Sequence, residues 1–207
     1  MAAGPTVVVV AAGRGSRFGG AVHKLAQPLG ASTVLGHTLR QVLASRLALI
    51  VVTTPWLADL ARQSVASRDV LVLPQDQNAP QAIGMGLSIA AGVSARPQAG
   101  SWLVLPADMP LVAPATMRAV AAALAQHALV YPQFQGRRGH PVGFGGELYS
   151  ELIALSGDEG AKRLLARYPA FGLPVDDAGV LADVDTPEDL AKVRAAIKLP
   201  AAASHRA

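Results

Sequence analysis

Cysteine is absent from the 207 residues, which excludes disulfides, thiolate metal sites and thiol nucleophiles. Aromatic residues make up only 4% of the chain and charged residues 15%. The basic residues are scattered rather than striped, and no aromatic platform alternates with them, so nucleic-acid binding is disfavoured. The formal charge of +4 is read instead as solvated surface, or as the lining of a pocket for a small, highly anionic substrate. No secretion signal is visible, because the N-terminus lacks a cationic lead, and the valine run at 7–10 is far too short for a membrane span of about 20 residues. A cytoplasmic enzyme without a membrane partner is the expectation.

What is abundant is alanine, valine and leucine, which suits helices packed on both faces of a parallel sheet. The length fits one domain, expected over residues 1–198, with a frayed tail over 199–207.

The chain is organised around residues 6–20, TVVVVAAGRGSRFGG. A β-branched run that stops in a glycine-rich, arginine-bearing loop reads as a buried parallel strand delivering an anion-binding turn. The loop lacks the Gly-Lys-Ser/Thr ending of a P-loop. Its glycines at 13, 15, 19 and 20 also miss the dinucleotide spacing, since Phe18 stands where the third glycine would fall. What remains is a turn with Arg14 and Arg17 beside backbone donors, and Lys24 a few residues on; three cations around one turn suit a triphosphate.

Further along, residues 32–46 carry a helical apolar stripe that Ser32 or Thr33 can cap, residues 47–54 read as a strand, and Pro55 opens a helix reaching about Arg62. His37 is read as a surface or boundary residue, not a ligand. Residues 70–73 make a short third strand. This alternation predicts right-handed crossovers and an α/β fold, a three-layer α/β/α sandwich around a Rossmann-like, mostly parallel sheet. Residues 83–93 put Gly84 and Gly86 at the start of an alanine-rich helix with Ser88 one turn in; the glycines read either as tight turn and close packing or as free N–H groups for an anion. Residues 101–106 form a fourth strand, followed by Asp108 in a proline-bracketed turn. That carboxylate can meet a metal-bound phosphate or cap the helix expected over 113–126.

A fifth strand over 127–134 leads into GRRGHPVGF at 136–144, a turn followed by an extended segment. Two short helices are expected over 147–155 and 158–167, with Asp158 an N-cap, and late strands over 171–175 and 180–184 joined by a hairpin-like turn at 176–179. In the closing ADVDTPEDLAKV, Thr186 is a natural N-cap, Pro187 a first-turn residue, and Glu188 and Asp189 suit the positive helix start. Asp183 and Asp185 are left over, and on a strand both would face one side.

AAGRGSRFGG followed by Lys24, Leu25 and Pro28 resembles the signature of nucleotidyltransferases related to molybdenum cofactor cytidylyltransferase, within the larger family of MobA-like NTP transferases. Here Ala21, Val22 and His23 give a longer spacing before the lysine. The likeness runs from about Val7 to Leu190, with its motifs in order. It implies a nucleotide-diphospho-sugar transferase type of sheet and a nucleotide site at Ala11, Ala12, Gly13, Arg14, Gly15, Lys24, Asn78, Gly84 and Ser88, with Met85 and Gly92 matching the same pattern. It implies catalytic roles for Arg14, Lys24 and Asp108, Mg2+ as cofactor on Asp108 and Asp185 with Asp183 a lesser ligand, and acceptor contacts from Arg138, His140 and Asp158.

The reaction implied is Mg2+-dependent transfer of CMP from CTP to the terminal phosphate of molybdopterin or molybdenum cofactor, with pyrophosphate released. A molybdoenzyme or its maturation chaperone is a further expected partner. Ala12 at the middle of Ala-Ala-Gly resembles the cytidylyl branch more than the guanylyl branch. Three rivals predict different chemistry: another nucleotide or a sugar-phosphate acceptor on the same fold, an NAD(P)-dependent oxidoreductase that needs no magnesium, and a non-catalytic pterin carrier.

Overall fold

The computed structural model describes residues 4–13, 18, 22–74, 84–158 and 160–198. The chain runs β1 (Thr6–Ala11), β2 (Pro28–Leu29), β3 (Ser32–Thr33), α1 (Val34–Ser45), β4 (Ala48–Thr53), α2 (Pro55–Arg62) and β5 (Val70–Val72). It continues through α3 (Met85–Ser94), β6 (Ser101–Pro106), α4 (Pro114–Ala123), β7 (Leu129–Phe134), β8 (Arg137–Arg138) and β9 (Val142–Gly145). It closes with α5 (Tyr149–Ile153), α6 (Lys162–Arg167), β10 (Phe171–Pro174) and α7 (Pro187–Lys198).

The main sheet has the order β10-β7-β9-β6-β1-β4-β5, with β8 paired to β7. Strands β6, β1, β4 and β5 run parallel, as do β7 and β10, while β9 is antiparallel to both of its neighbours. The order reverses at β1: the chain passes first to β4 on one side and later to β6 on the other. Such a switch point opens a crevice at the carboxyl ends of the strands.

The valine run shows why two helical layers form. Val7, Val9 and Ala11 pack into one buried cluster with Leu35 and Leu39 of α1, Leu57 of α2, Met117 of α4 and Val193 of α7. Val8 and Val10 pack into the other, with Ile89 and Val93 of α3, Leu152 of α5 and Leu164 of α6. Successive side chains on a strand alternate faces, so a strand covered on both sides is apolar throughout. Gly92 lets α3 approach the sheet, since a methyl group there would overlap the side chains of Val8 and Val52. No described helix is long and apolar enough to cross a membrane.

Several local expectations change. Residues 180–184 are not a strand: Ala178–Leu181 form a 3₁₀ turn started by the Asp177 side chain, which accepts from the Gly179 N–H, so no hairpin forms at 176–179. Their apolar pattern comes from tertiary burial, with Val180 and Val184 both 0% exposed. Asp158 does not cap α6, which begins at Lys162 behind Ala161. The start of α4 is held by the distant Asp177, whose Oδ2 accepts from Ala113 N at 2.9 Å and Thr116 Oγ1 at 2.6 Å, so Asp108 is not its cap. Thr33 rather than Ser32 caps α1. The tail at 199–207 lies outside the described residues.

Candidate active site

A cleft of about 710 Å³ opens at the carboxyl ends of β1 and β6. Its floor is Val10, Ala11 and Gly13 from β1 and the turn after it, and Pro106, Ala107 and Asp108 from β6. The Asp108 turn is fixed from three directions. Ala107 N donates to Val10 O at 3.0 Å, Thr38 Oγ1 of α1 donates to Ala107 O at 2.8 Å, and Val184 N donates to Asp108 O at 3.0 Å. The last of these bonds brings the 182–186 segment against β6 and delivers Asp185 to Asp108.

Lys24 joins the two carboxylates. Its Nζ lies 2.6 Å from Asp108 Oδ2 and 2.6 Å from Asp185 Oδ1, and the three side chains are only 14%, 15% and 26% exposed. Burial alone would lower the lysine pKa, but the charge and hydrogen bond of Asp108, then those of Asp185, carry it above its ordinary value. Asp108 Oδ1 is buried without a hydrogen-bond partner among the described residues. A buried carboxylate oxygen with nothing to accept from is one that a further donor or a cation would satisfy.

Lys24 sits in a single 3₁₀ turn, Lys24–Ala26, whose geometry depends on His23. The His23 Nδ1 accepts from Leu25 N at 3.1 Å while Nε2 lies 2.9 Å from Gly13 O. A backbone N–H facing Nδ1 requires a lone pair there, so the proton resides on Nε2 and is donated to Gly13. His23 thus ties Gly13, just past β1, to the turn that carries Lys24. On the other side of the turn, Arg194 of α7 gives both Nε and a terminal nitrogen to Pro28 O, at 3.2 and 2.7 Å.

The side of the cleft built by β7 and β8 is cationic. Strands β7 and β8 are joined through Gln135 and Gly136, at φ of 48° and 77°, the paired positive values of a tight two-residue hairpin. This turn lays Arg137 and Arg138 along the cleft, with the Arg138 guanidinium 4.4 Å from the centre of the Tyr131 ring. His140 lines the same wall, and burial lowers its pKa against the upward pull of Asp108 and Asp183, so the imidazole is neutral at neutral pH. Asp158 and Lys162 line the edge near Met85.

The cleft therefore brings together Ala11, Gly13, Lys24, Asp108, Arg138, His140, Asp158, Asp183 and Asp185. Arg14, Arg17, Gly15 and Asn78 lie outside the described residues. Ala12 is buried in the α3 side of the core. Ser88 is 1% exposed, spends its hydroxyl on Gly84 O at 3.2 Å and is not among the residues that line the cleft. Gly84 and Gly86 answer to close packing, because a methyl group at either would run into the backbone of residues 156–157. Asp183 and Asp185 do not share a strand face; Asp185 meets Lys24, while the exposed Asp183 acts on His140 by its charge.

Sequence reasoning missed His23, Thr38 and Lys162 as site residues. Thr38 left a signal, being a hydroxyl one turn after Val34 on the apolar stripe of α1, and a buried hydroxyl needs a partner. His23 and Lys162 left none that spacing alone could expose.

Residues 7–171 match the family described as the MobA-like NTP transferase domain. The purine catabolism protein PucB of Bacillus subtilis is 30% identical over 203 residues, covering 92% of this chain and 96% of that one. The structure of Rv0371c from Mycobacterium tuberculosis superposes with a TM-score of 0.80 at 29% identity, over 94% of this chain and 99% of that one. A complex of Rv0371c with manganese gives a TM-score of 0.77 at 28% identity, over 94% and 100%. A nucleotidyl transferase from Methanothermobacter thermautotroptrophicus gives 0.76 at 25%, over 93% and 96%. With the sheet order, the cleft at its switch point and these matches in agreement, the chain belongs to the MobA-like NTP transferase domain family and is a nucleotidyltransferase.

Proposed function

We propose that the protein moves CMP from CTP to the terminal phosphate of molybdopterin or molybdenum cofactor, with Mg2+ as the required cation, and releases pyrophosphate. The observation that carries the reading is the Lys24, Asp108 and Asp185 cluster in the same cleft that Arg137, Arg138 and His140 line. The cluster converges negative oxygens on a cation, while Arg137 and Arg138, with the neutral His140 beside them, offer charge and a hydrogen bond to an anion. Transfer between two phosphates needs both.

The donor set fits a hard divalent ion. Two carboxylates from different elements already hold a positive charge between them, and Asp108 Oδ1 is a buried oxygen with no hydrogen-bond partner among the described residues. Asp108 and Asp185 would hold the ion, which when bound would neutralise charge on the α-phosphate. The manganese complex of Rv0371c supports a divalent cation for this site.

The chain's own groups are assigned as follows. Lys24 holds the departing pyrophosphate, together with Arg14 and the backbone N–H groups near Gly13 and Gly15. Arg138 and the neutral His140 orient the acceptor phosphate, and Asp158 borders it. An acceptor oxyanion attacks the α-phosphorus, the new P–O bond forms, and the bond to the β-bridging oxygen breaks with its electron pair leaving on pyrophosphate. The nucleophile is already ionised, so positioning and charge neutralisation suffice without a strong general base. Cytidine as the base rests on the Ala-Ala-Gly form of the first loop. The finished dinucleotide passes to a molybdoenzyme or its chaperone.

The test is pyrophosphate release from CTP, GTP and ATP with magnesium, with and without molybdenum-loaded molybdopterin. Release confined to CTP with the pterin is the expected result. Release with GTP reassigns the base, and release with a sugar phosphate in place of pterin reassigns the acceptor. No release with any pair overturns the proposal.

A further inference from the structure

We propose that Lys24 is an internal competitor for the divalent-cation site: its ammonium neutralises Asp108 and Asp185 in the free protein, and the metal enters as that ammonium moves to the nucleotide phosphates. The inference rests on the reading of Asp108 and Asp185 as the metal pair.

The ammonium lies 2.6 Å from one oxygen of each carboxylate, and these contacts span 84 and 161 residues of chain, so the fold brings three charges together that have no local reason to meet. A divalent ion and an ammonium in direct contact with the same two oxygens repel strongly, all the more where the side chains are largely withdrawn from water. Occupancy is therefore exclusive. Lysine suits this role, since its charge is a compact point on a flexible four-carbon stem and can leave without disturbing the backbone. The divalent ion has two advantages over it, a double charge and the Asp108 oxygen, Oδ1, that has no hydrogen-bond partner among the described residues.

Once displaced, the ammonium needs another anion. The nucleotide phosphates supply one, in the same cleft that Lys24 already lines. Binding the nucleotide then removes the competitor from the metal site, and binding the metal frees the lysine for the nucleotide. By linkage each raises the affinity for the other by the same factor, typically about 5- to 150-fold for such couplings. Metal alone binds weakly to the free protein, which guards the site against filling without substrate.

Mn2+ binding to the 207-residue protein, followed by the loss of the free-ion electron paramagnetic resonance signal, tests this without any turnover. Lys24→Met is expected to bind Mn2+ roughly ten-fold tighter than the wild type, and Asp108→Asn to bind it far more weakly. Equal or weaker binding by Lys24→Met, with binding still lost in Asp108→Asn, overturns the competition and leaves the metal pair standing. Absence of Mn2+ binding in both wild type and Lys24→Met overturns the metal pair and the inference with it. A second measurement needs no variant: amine-selective labelling of the wild type, read by mass spectrometry, with exposed Lys192 and Lys198 as references. Mg2+ raised until the site is saturated is expected to increase labelling at Lys24 several-fold over those references, and unchanged or reduced labelling at saturation overturns the displacement.

Discussion

The Val184 N–H donates to the carbonyl of Asp108 at 3.0 Å, and this backbone bond sets Asp185 beside the carboxylate that ends β6. The pairing of the two acidic side chains is thus built by main chain, not by their mutual charge. Asp108→Asn keeps that bond and nearly the same shape while removing one negative charge from the cluster around Lys24. Pyrophosphate release with saturating magnesium and nucleotide is expected to fall about 100- to 1,000-fold, the usual consequence of removing one group that stabilises charge in the transition state. Turnover at the wild-type rate would show that Asp108 takes no part in the chemistry.

Lys24 also gives the fold a signature at alkaline pH. Burial pulls its pKa down, but Asp108 and Asp185 together carry it above the ordinary 10.5. A lysine whose folded value lies above its unfolded one contributes stability that is complete below the unfolded pKa and is lost as pH rises through the folded value. Denaturant midpoints measured from about pH 8 to 11.5 should therefore decline more steeply at the alkaline end for the wild type than for Lys24→Met. Parallel curves for the two proteins would mean that the ion pairs add nothing to folding.

How much of this was legible in the sequence follows from where each interaction lies along the chain. The valine run at 7–10 named a strand buried on both faces, because nothing but two apolar layers accepts four consecutive β-branched residues. Thr33 and Thr186 were readable as caps, since their partners stand three residues away. Asp108 and Lys24 were readable as chemistry-bearing residues from their loops. Their ion pair was not, because 84 residues separate them and only the β1, β6 pairing closes the distance. The apolar residues near 180 misled for a related reason. Val180 and Val184 are buried by the turn that carries them past β6, so their hydrophobicity reports tertiary contact rather than strand period.

Asp177 is a long-range anchor and carries a stability prediction. Its carboxylate accepts from Ala113 N and Thr116 Oγ1 at the start of α4 and from Gly179 N at 3.0 Å in its own turn. Asp177→Ala leaves these donors without their acceptor, which should cost about 1–3 kcal/mol, read as a lowered midpoint in urea with an unchanged slope. Asp177→Asn keeps an acceptor oxygen and should recover part of the loss. An alanine variant as stable as the wild type would mean that water replaces the carboxylate at no cost.

His23 separates two roles that a single substitution would blur. Its Nδ1 accepts from Leu25 N, which shapes the turn carrying Lys24, and its Nε2 donates to Gly13 O, which ties the end of β1 to that turn. Asparagine can place an oxygen near the Nδ1 position and glutamine a donor near the Nε2 position, so each variant preserves one bond and breaks the other. If the loop grips the nucleotide, His23→Asn should raise KM for the nucleotide roughly five- to ten-fold with kcat nearly unchanged, the pattern of lost uniform binding. His23→Gln keeps the bond to Gly13 but loosens the Lys24 turn, so its loss should fall mainly on kcat. Steady-state kinetics on the two variants check this, with thermal unfolding as the control for folding. Equal effects on KM and kcat in both variants would reduce His23 to a packing residue, whereas the split would assign the loop to substrate binding and the turn to the transition state.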